Sequence, residues 1–179
     1  MKQPIIIIIF GVNCSGKSTV LAYLRKQPIP AFAVYDLDAR GVPDNVSSQW
    51  RRKEFSYYIN KAIKHAANGK STIIGGYILP NEVADIIKGR RLRLKYILLD
   101  VNKTILAERL RKRFVSGHRL RELKRVTSLN INQCIEENIK HSKQLRKICR
   151  KNNYQVLDAS ISKISVVIMK LRKIINTLF

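Results

Sequence analysis

Apolar positions along the chain switch repeatedly between two periods. Residues 4–10, PIIIIIF, are an unbroken run rich in β-branched side chains with no polar face to leave in water, which predicts a strand buried on both sides. KSTVLAYLRK (17–26) follows as a short helix, and AFAVYD (31–36) as a second strand. From about Ser47 to Asn68, Phe55, Ile59, Ala62, Ile63 and Ala66 recur at helical spacing, and Asn68-Gly69 ends the helix. STIIGG (71–76) predicts a third strand, and PNEVADIIKG (80–89) a short helix with Pro at its start and Gly at its end. LKYILLDV (94–101) predicts a fourth strand, followed by a helix from about Thr104 to Phe114. A longer helix from about Ser128 to Lys151 is entered through a basic segment, and YQVLD (154–158) predicts a fifth strand. A last helix starts near Ser160 or Ser162, with Ile164, Val167, Ile168, Leu171, Ile174, Ile175 and Leu178 along one side.

Five short strands alternating with helices predict an α/β fold: a parallel sheet covered on both faces. The 179 residues carry no linker or internal repeat, so one domain spanning 1–179 is expected. Three sparse cysteines, Cys14, Cys134 and Cys149, lack metal spacing and fit a reducing cytoplasm. The N-terminal apolar run is too short for a signal-peptide core or a membrane span, and a cytoplasmic protein with no membrane contact is expected.

Charge changes the picture. Thirty-five Lys and Arg face twelve Asp and Glu, a formal net charge of +23. Such a surface attracts polyanions, nucleic acid among them. Solvated helix faces explain the same excess without any partner.

The chemistry starts after the first strand. Gly11-Val12-Asn13-Cys14-Ser15-Gly16-Lys17-Ser18 fits G-x-x-x-x-G-K-[ST] between a strand and a helix. Gly11 lets the chain turn off the strand, and Gly16 lets backbone amides approach phosphate. Amides from about Asn13 to Ser18, Ser15 included, form an anion nest backed by the helix N-terminus. Lys17 reaches the β- and γ-phosphates, Ser18 offers its hydroxyl to Mg²⁺, and Thr19 can bond the α-phosphate. Cys14 fills a variable loop position with a small side chain.

On these residues the chain resembles the P-loop kinases of nucleosides, nucleotides and small metabolites, a group that includes adenylate, shikimate and gluconate kinases. The resemblance implies a three-layer P-loop NTPase fold with strand order 2-3-1-4-5, ATP with Mg²⁺, and a basic lid at about 114–127. YDLDARGVP places Asp36 and Asp38 where such kinases carry acceptor-binding or Mg²⁺-organising carboxylates; a plain turn accounts for the same residues. STIIGGYILPNE has Gly75 and Gly76 where the third strand often ends in the Walker B acid. This departure leaves Asp36 or Asp38 to supply the metal's carboxylate. The glycines would let a substrate approach the backbone. LLDVNKTILAERLRKR, with Asp100, Arg109 and Arg113, resembles the helix leading into the lid, which places arginines over adenine and on phosphates. FVSGHRLRELKRV resembles the lid itself; Arg119 or Arg121 would neutralise charge on the transferred group, and His118 reads as a surface residue. YQVLDASISK places Asp158, Ala159 and Ser160 beside adenine. Trp50, with Arg51 or Arg52, would line the acceptor site, or Trp50 would belong to the core.

The expected function is ATP-dependent transfer of the γ-phosphoryl group to a small acceptor: a nucleoside, nucleotide or hydroxylated metabolite. Phosphorylation of nucleic-acid 5′ ends is an alternative, favoured by the charge and by Arg90, Arg91, Arg93 and Lys95. A nucleotide-binding regulator with little catalysis is another, favoured by Gly75 in place of an acid.

Overall fold

The computed structural model describes residues 4–90, 92–160 and 163–177. Its elements are β1 (Ile6–Phe10), α1 (Lys17–Lys26), β2 (Phe32–Asp36), α2 (Ser48–Ala67), β3 (Ser71–Gly76), α3 (Ala84–Ile87), β4 (Leu94–Asp100), α4 (Lys103–Arg113), α5 (Gly117–Thr127), α6 (Ile131–Asn152), β5 (Gln155–Asp158) and α7 (Ile164–Asn176). Single 3-10 turns lie at Leu37–Arg40 and Pro80–Glu82. The strands form one parallel sheet in the order β2-β3-β1-β4-β5, the order the resemblance implies.

β1 is the central strand, hydrogen-bonded to β3 on one side and β4 on the other. Ile7, Ile8 and Ile9 are all 0% exposed, so consecutive residues on opposite faces are equally dry. Helices therefore cover both faces. α1 packs with α7, and right-handed crossovers put α2 and the α4–α6 pair on the other side. α2 begins at Ser47, whose hydroxyl accepts from the Trp50 amide at 3.1 Å. It buries Phe55, Tyr58, Ile59 and Ala62. α6 opens with an Asn130–Gln133 capping box. None of the described helices is long and apolar enough to cross a membrane.

Two expectations are corrected. The helix over 80–89 breaks at Val83, which is drawn into the core in a non-helical conformation. The Glu82 carbonyl accepts from Arg52. The basic segment before α6 is a helix of its own, α5, started by Ser116, whose hydroxyl accepts from the Arg119 amide. Gly117 is its first residue. The start of the last helix near Ser162 and its far end at Leu178 fall outside the described residues.

The glycine pair at the end of β3 has a packing cause. A Cβ on Gly75 would lie 2.5 Å from Leu21 Cδ1, and one on Gly76 would lie 2.6 Å from Leu37 Cβ. Leu21 belongs to α1 and Leu37 to the 3-10 turn after β2; both are fully buried. The space beside these glycines is filled by leucine, so they are not open to a substrate. Gly76→Ala forces the new methyl against a Cβ that cannot swing away, and a loss of about 1–3 kcal/mol is expected. Urea unfolding checks this through a lower midpoint at constant slope; an unchanged midpoint would refute the packing account.

Candidate active site

The sheet's carboxyl edge gathers the loops after β1, β2, β3, β4 and β5, the place where open α/β sheets bind ligands. At Gly11 a Cβ would sit 2.7 Å from both the Leu99 carbonyl oxygen and Ser15 Oγ, so only glycine lets the loop tuck under the sheet edge. Gly16 holds φ at 95° as the residue before α1. The Asn13 amide donates to Asn138 Oδ1 at 3.0 Å, and Asn138 Nδ2 donates to the Cys134 carbonyl at 2.7 Å. Asn138 is a buried polar residue on the apolar side of α6, and it fastens that helix to the loop. One of the amides expected to face phosphate is therefore already bonded to protein.

Lys17 is folded into the loop, donating to the Gly11 carbonyl at 2.9 Å and the Val12 carbonyl at 2.7 Å. Dehydration by the loop pulls its pKa down to about 8, opposed by Asp38, Cys14 and Asp36. Asp38 moves the other way: loss of water and then neighbouring Asp36 raise its pKa, against Lys17 and Arg113.

Two cavities meet here. A phosphate lobe of about 420 Å³ is lined by the loop from Asn13 to Thr19 with Asp38, Tyr77, Arg109, Arg113 and Ala159. An acceptor lobe of about 470 Å³ is lined by Trp50, Arg51, Tyr77, the α5 side chains Glu122, Leu123 and Val126, and the α6 side chains Glu137, Asn138 and His141. Asn13, Asp38, Tyr77 and Arg113 border both lobes, so Asp38 and Arg113 face each other's charge where a reacting group would sit.

The expected site residues separate accordingly. Asn13, Cys14, Ser15, Gly16, Lys17, Ser18, Thr19, Arg109, Arg113 and Asp38 come together in the phosphate lobe. Arg109 donates to the Ala159 carbonyl at 2.9 Å. Of the three residues expected beside adenine, only Ala159 lines that lobe. Asp158 accepts from the Ser160 amide at 2.8 Å, and Ser160 Oγ accepts from the Asn102 amide at 2.9 Å, so both shape the loop. Trp50 and Arg51 line the acceptor lobe.

Asp36 is corrected. Its carboxylate accepts from the Asp38 amide at 3.2 Å, capping the 3-10 turn, and it lines neither lobe. Gly75 and Gly76 are absent from both linings, for the packing reason already given. Arg119 and Arg121 also line neither. Arg119 is tied to Glu122 at 2.7 Å. Arg121 lies two residues before Leu123, the buried side of α5, and a two-residue step turns a helical side chain well away from that side.

Several contributors were not foreseen. Arg51 grips Glu82 through two hydrogen bonds of 3.0 and 2.8 Å, and its guanidinium lies 5.4 Å from the Tyr77 ring centre. Tyr77 in turn stands 5.8 Å from the His141 ring. Asp100 pairs with Arg146 at 2.8 Å and holds α6 to β4. A polar Asn138 amid Cys134, Ile135, Ser142 and Leu145 was the one visible sequence signal.

For Mg²⁺, the chain offers the exposed Ser18 hydroxyl and the Asp38 carboxylate in one lobe. Among the described residues no three His, Cys, Asp or Glu side chains cluster. Mg²⁺ commonly takes one or two carboxylates and fills its shell with phosphate oxygens and water, so these groups fit it when nucleotide is bound.

The class defined by sheet order and loop is the P-loop kinase-like fold. No family model matches the chain, and no curated protein matches it. A solved sugar kinase from Janibacter sp. HTCC2649 is similar in structure, with TM-score 0.58 and 19% identity over 97% of this chain and 95% of that one. Deoxyadenosine kinase from M. mycoides, solved with bound dATP, is similar at TM-score 0.58 and 18% identity over 96% and 99%. Identities this low establish the shared fold.

Lys17 generates a pH prediction. Phosphates at this loop would need Lys17 as the ammonium, and burial lets that ammonium lose its proton above about pH 8. Nucleotide affinity should hold steady below that pH and fall by up to about tenfold per unit above it, with proton uptake on binding. Calorimetry in buffers of different ionisation heat measures this; Lys17→Arg should abolish the break. Flat affinity without proton uptake through about pH 9.5 would refute the assignment.

Proposed function

We propose that the chain is an ATP-dependent phosphotransferase acting on a small hydroxyl acceptor. The observation that carries this reading is the junction of two lobes at Asp38 and Arg113, with Lys17 in the lobe beside it. One lobe suits a triphosphate and the other a separate small molecule, with a carboxylate between them. The similarity to a sugar kinase and a deoxyadenosine kinase supports the same reaction class.

Each residue then has a task. The loop amides and Lys17 hold the β- and γ-phosphates. Arg109 borders the nucleoside end, beside Ala159. Asp38 accepts the acceptor's hydroxyl proton, and its raised pKa suits a proton acceptor better than an ordinary carboxylate would. The acceptor oxygen bonds to the γ-phosphorus while the bond from that phosphorus to the β,γ-bridging oxygen breaks. The electron pair leaves with ADP. Arg113 neutralises charge on the group in flight. Bound Mg²⁺, held by Ser18 with phosphate oxygens and water completing its shell, would add positive charge at the phosphates. The lid proposal passes to α5, which roofs the acceptor lobe. Asn45 and Val46 amides donate to its Arg125 and Val126 carbonyls at 3.3 Å each.

The regulatory-binder reading is favoured by the missing strand-end acid at Gly75, where Leu21 fills the space, and on the reading proposed here Asp38 supplies the cleft carboxylate instead. The nucleic-acid reading is favoured by the net charge of +23 and by a run of which Arg91 lies outside the described residues and Arg90 is bonded to Asn60 at 2.9 Å.

Asp38→Asn should lower phosphoryl transfer by about 10²–10⁴-fold while leaving nucleotide affinity within about threefold. Coupled ADP-release assays with sugars, nucleosides and nucleotides, beside nucleotide titrations, measure both. Equal turnover in the variant would remove Asp38 from the chemistry. No ADP release with any acceptor would remove the kinase reading.

A further inference from the structure

We propose that Tyr77 is a further catalytic residue, its hydroxyl donating to a non-bridging oxygen of the γ-phosphoryl group at the boundary between the two lobes. This rests on the phosphotransferase reading for what fills the lobes, and it gives a task to a side chain that the mechanism above does not use.

Packing behind the site fixes where Tyr77 stands. Gly76 closes on Leu37 of the 3-10 turn, where a Cβ would lie 2.6 Å from Leu37 Cβ. The next residue is Tyr77 in one segment and Asp38 in the other. Two segments that meet at Gly76 and Leu37 thus deliver Tyr77 and Asp38 to one place, and each of the two borders both lobes.

The ring of Tyr77 is held and its hydroxyl is not. The Arg51 guanidinium lies over the ring, 5.4 Å from its centre, and the two bonds to Glu82 keep that guanidinium in place. The His141 ring of α6 stands 5.8 Å away. Among the described residues the hydroxyl has no hydrogen-bond partner, and its oxygen is not sealed from the surface. A half-buried phenol in this state has given up water without gaining a partner, and a ligand oxygen would supply one.

The phosphoryl oxygen suits that role best. Of all parts of the reactants, only the phosphoryl group passes from one lobe to the other, and Tyr77 borders both. The neighbouring boundary groups are committed elsewhere: the Asn13 amide bonds Asn138, and Asp38 takes the acceptor's proton. Burial pushes the Tyr77 pKa up to about 12, so the O–H remains a donor at every working pH and does not compete with Asp38 as a base. A fixed donor aimed at phosphoryl oxygens counts most as charge spreads over them during transfer.

Tyr77→Phe removes the hydroxyl and keeps the ring. Calorimetry on the full chain compares ADP with a β,γ-imido analogue of ATP, which reads the γ-phosphoryl contact without acceptor or turnover. The variant should bind the analogue about fivefold or more weakly than the wild type does, with ADP affinity within about twofold and the thermal midpoint within about 2 °C. With an acceptor that supports ADP release, kcat should fall about tenfold or more at constant acceptor KM. An unchanged ratio of analogue to ADP affinity would overturn the proposal. So would a parallel loss of both affinities with a lowered midpoint, which is the mark of a structural role. A raised acceptor KM at unchanged kcat would overturn it too and hand the hydroxyl to the acceptor. A lowered ratio without ADP release from the wild type with any acceptor would sink the kinase reading and leave the γ-phosphoryl contact standing; wild-type turnover with an unchanged ratio would do the reverse.

Discussion

The whole site depends on two glycines having no side chains. Gly75 admits Leu21 of α1, and Gly76 admits Leu37 of the 3-10 turn. These two leucines set how closely α1 and the turn approach the end of β3. α1 carries the phosphate loop and Lys17; the turn carries Asp38. Interiors pack at crystal-like density, so a methyl group added here cannot be absorbed without moving one of the two. The spacing between the lysine and the carboxylate is therefore set from behind, by apolar contacts that touch no ligand.

That arrangement also explains where the acid went. A strand-end carboxylate at Gly75 would have to occupy the space filled by Leu21. The carboxylate in the cleft comes instead from the neighbouring strand's loop, two residues beyond the sheet, on a turn capped by Asp36. Asp36 and Asp38 thus divide the work: one holds the backbone, the other faces both lobes. α6 closes the far side. Asn138 bonds the phosphate loop, and Arg146 bonds Asp100 at the end of β4. One helix thereby ties the loop after β1 to the end of β4.

What was legible in the sequence follows from what each signal encodes. The strands were readable because β-branched runs buried on both faces leave no other solution, and the loop because its glycines and lysine have a fixed spacing. The end of β3 was not: a glycine pair shows that a side chain is missing, but the leucines that fill the space come from elsewhere in the chain. Asp36 and Asp38 are equivalent in sequence, and only the turn geometry separates capping from cleft. Arg119 and Arg121 were assigned without the phase of α5, although Ser116 was available as its cap. Tyr77, Glu137 and His141 had no local signal, because their common cavity exists only after β3 and α6 have packed.

The net charge of +23 and the groups inside the cleft act at different ranges. Lys140, Lys143, Lys147, Arg150 and Lys151 are exposed along α6, giving a positive field over the outside of the molecule. Such a field draws any anion inward and speeds arrival, but salt screens it over about 8–10 Å. It cannot by itself distinguish a triphosphate from a polynucleotide. Discrimination requires partly dehydrated groups at contact distance, where screening is weak. There Lys17 and Arg109 line one lobe, with Asp38 and Arg113 at the boundary to the other. On the proposed reading, the surface charge governs how often anions arrive, while the boundary governs which one stays and on which side of the reacting phosphorus it lies.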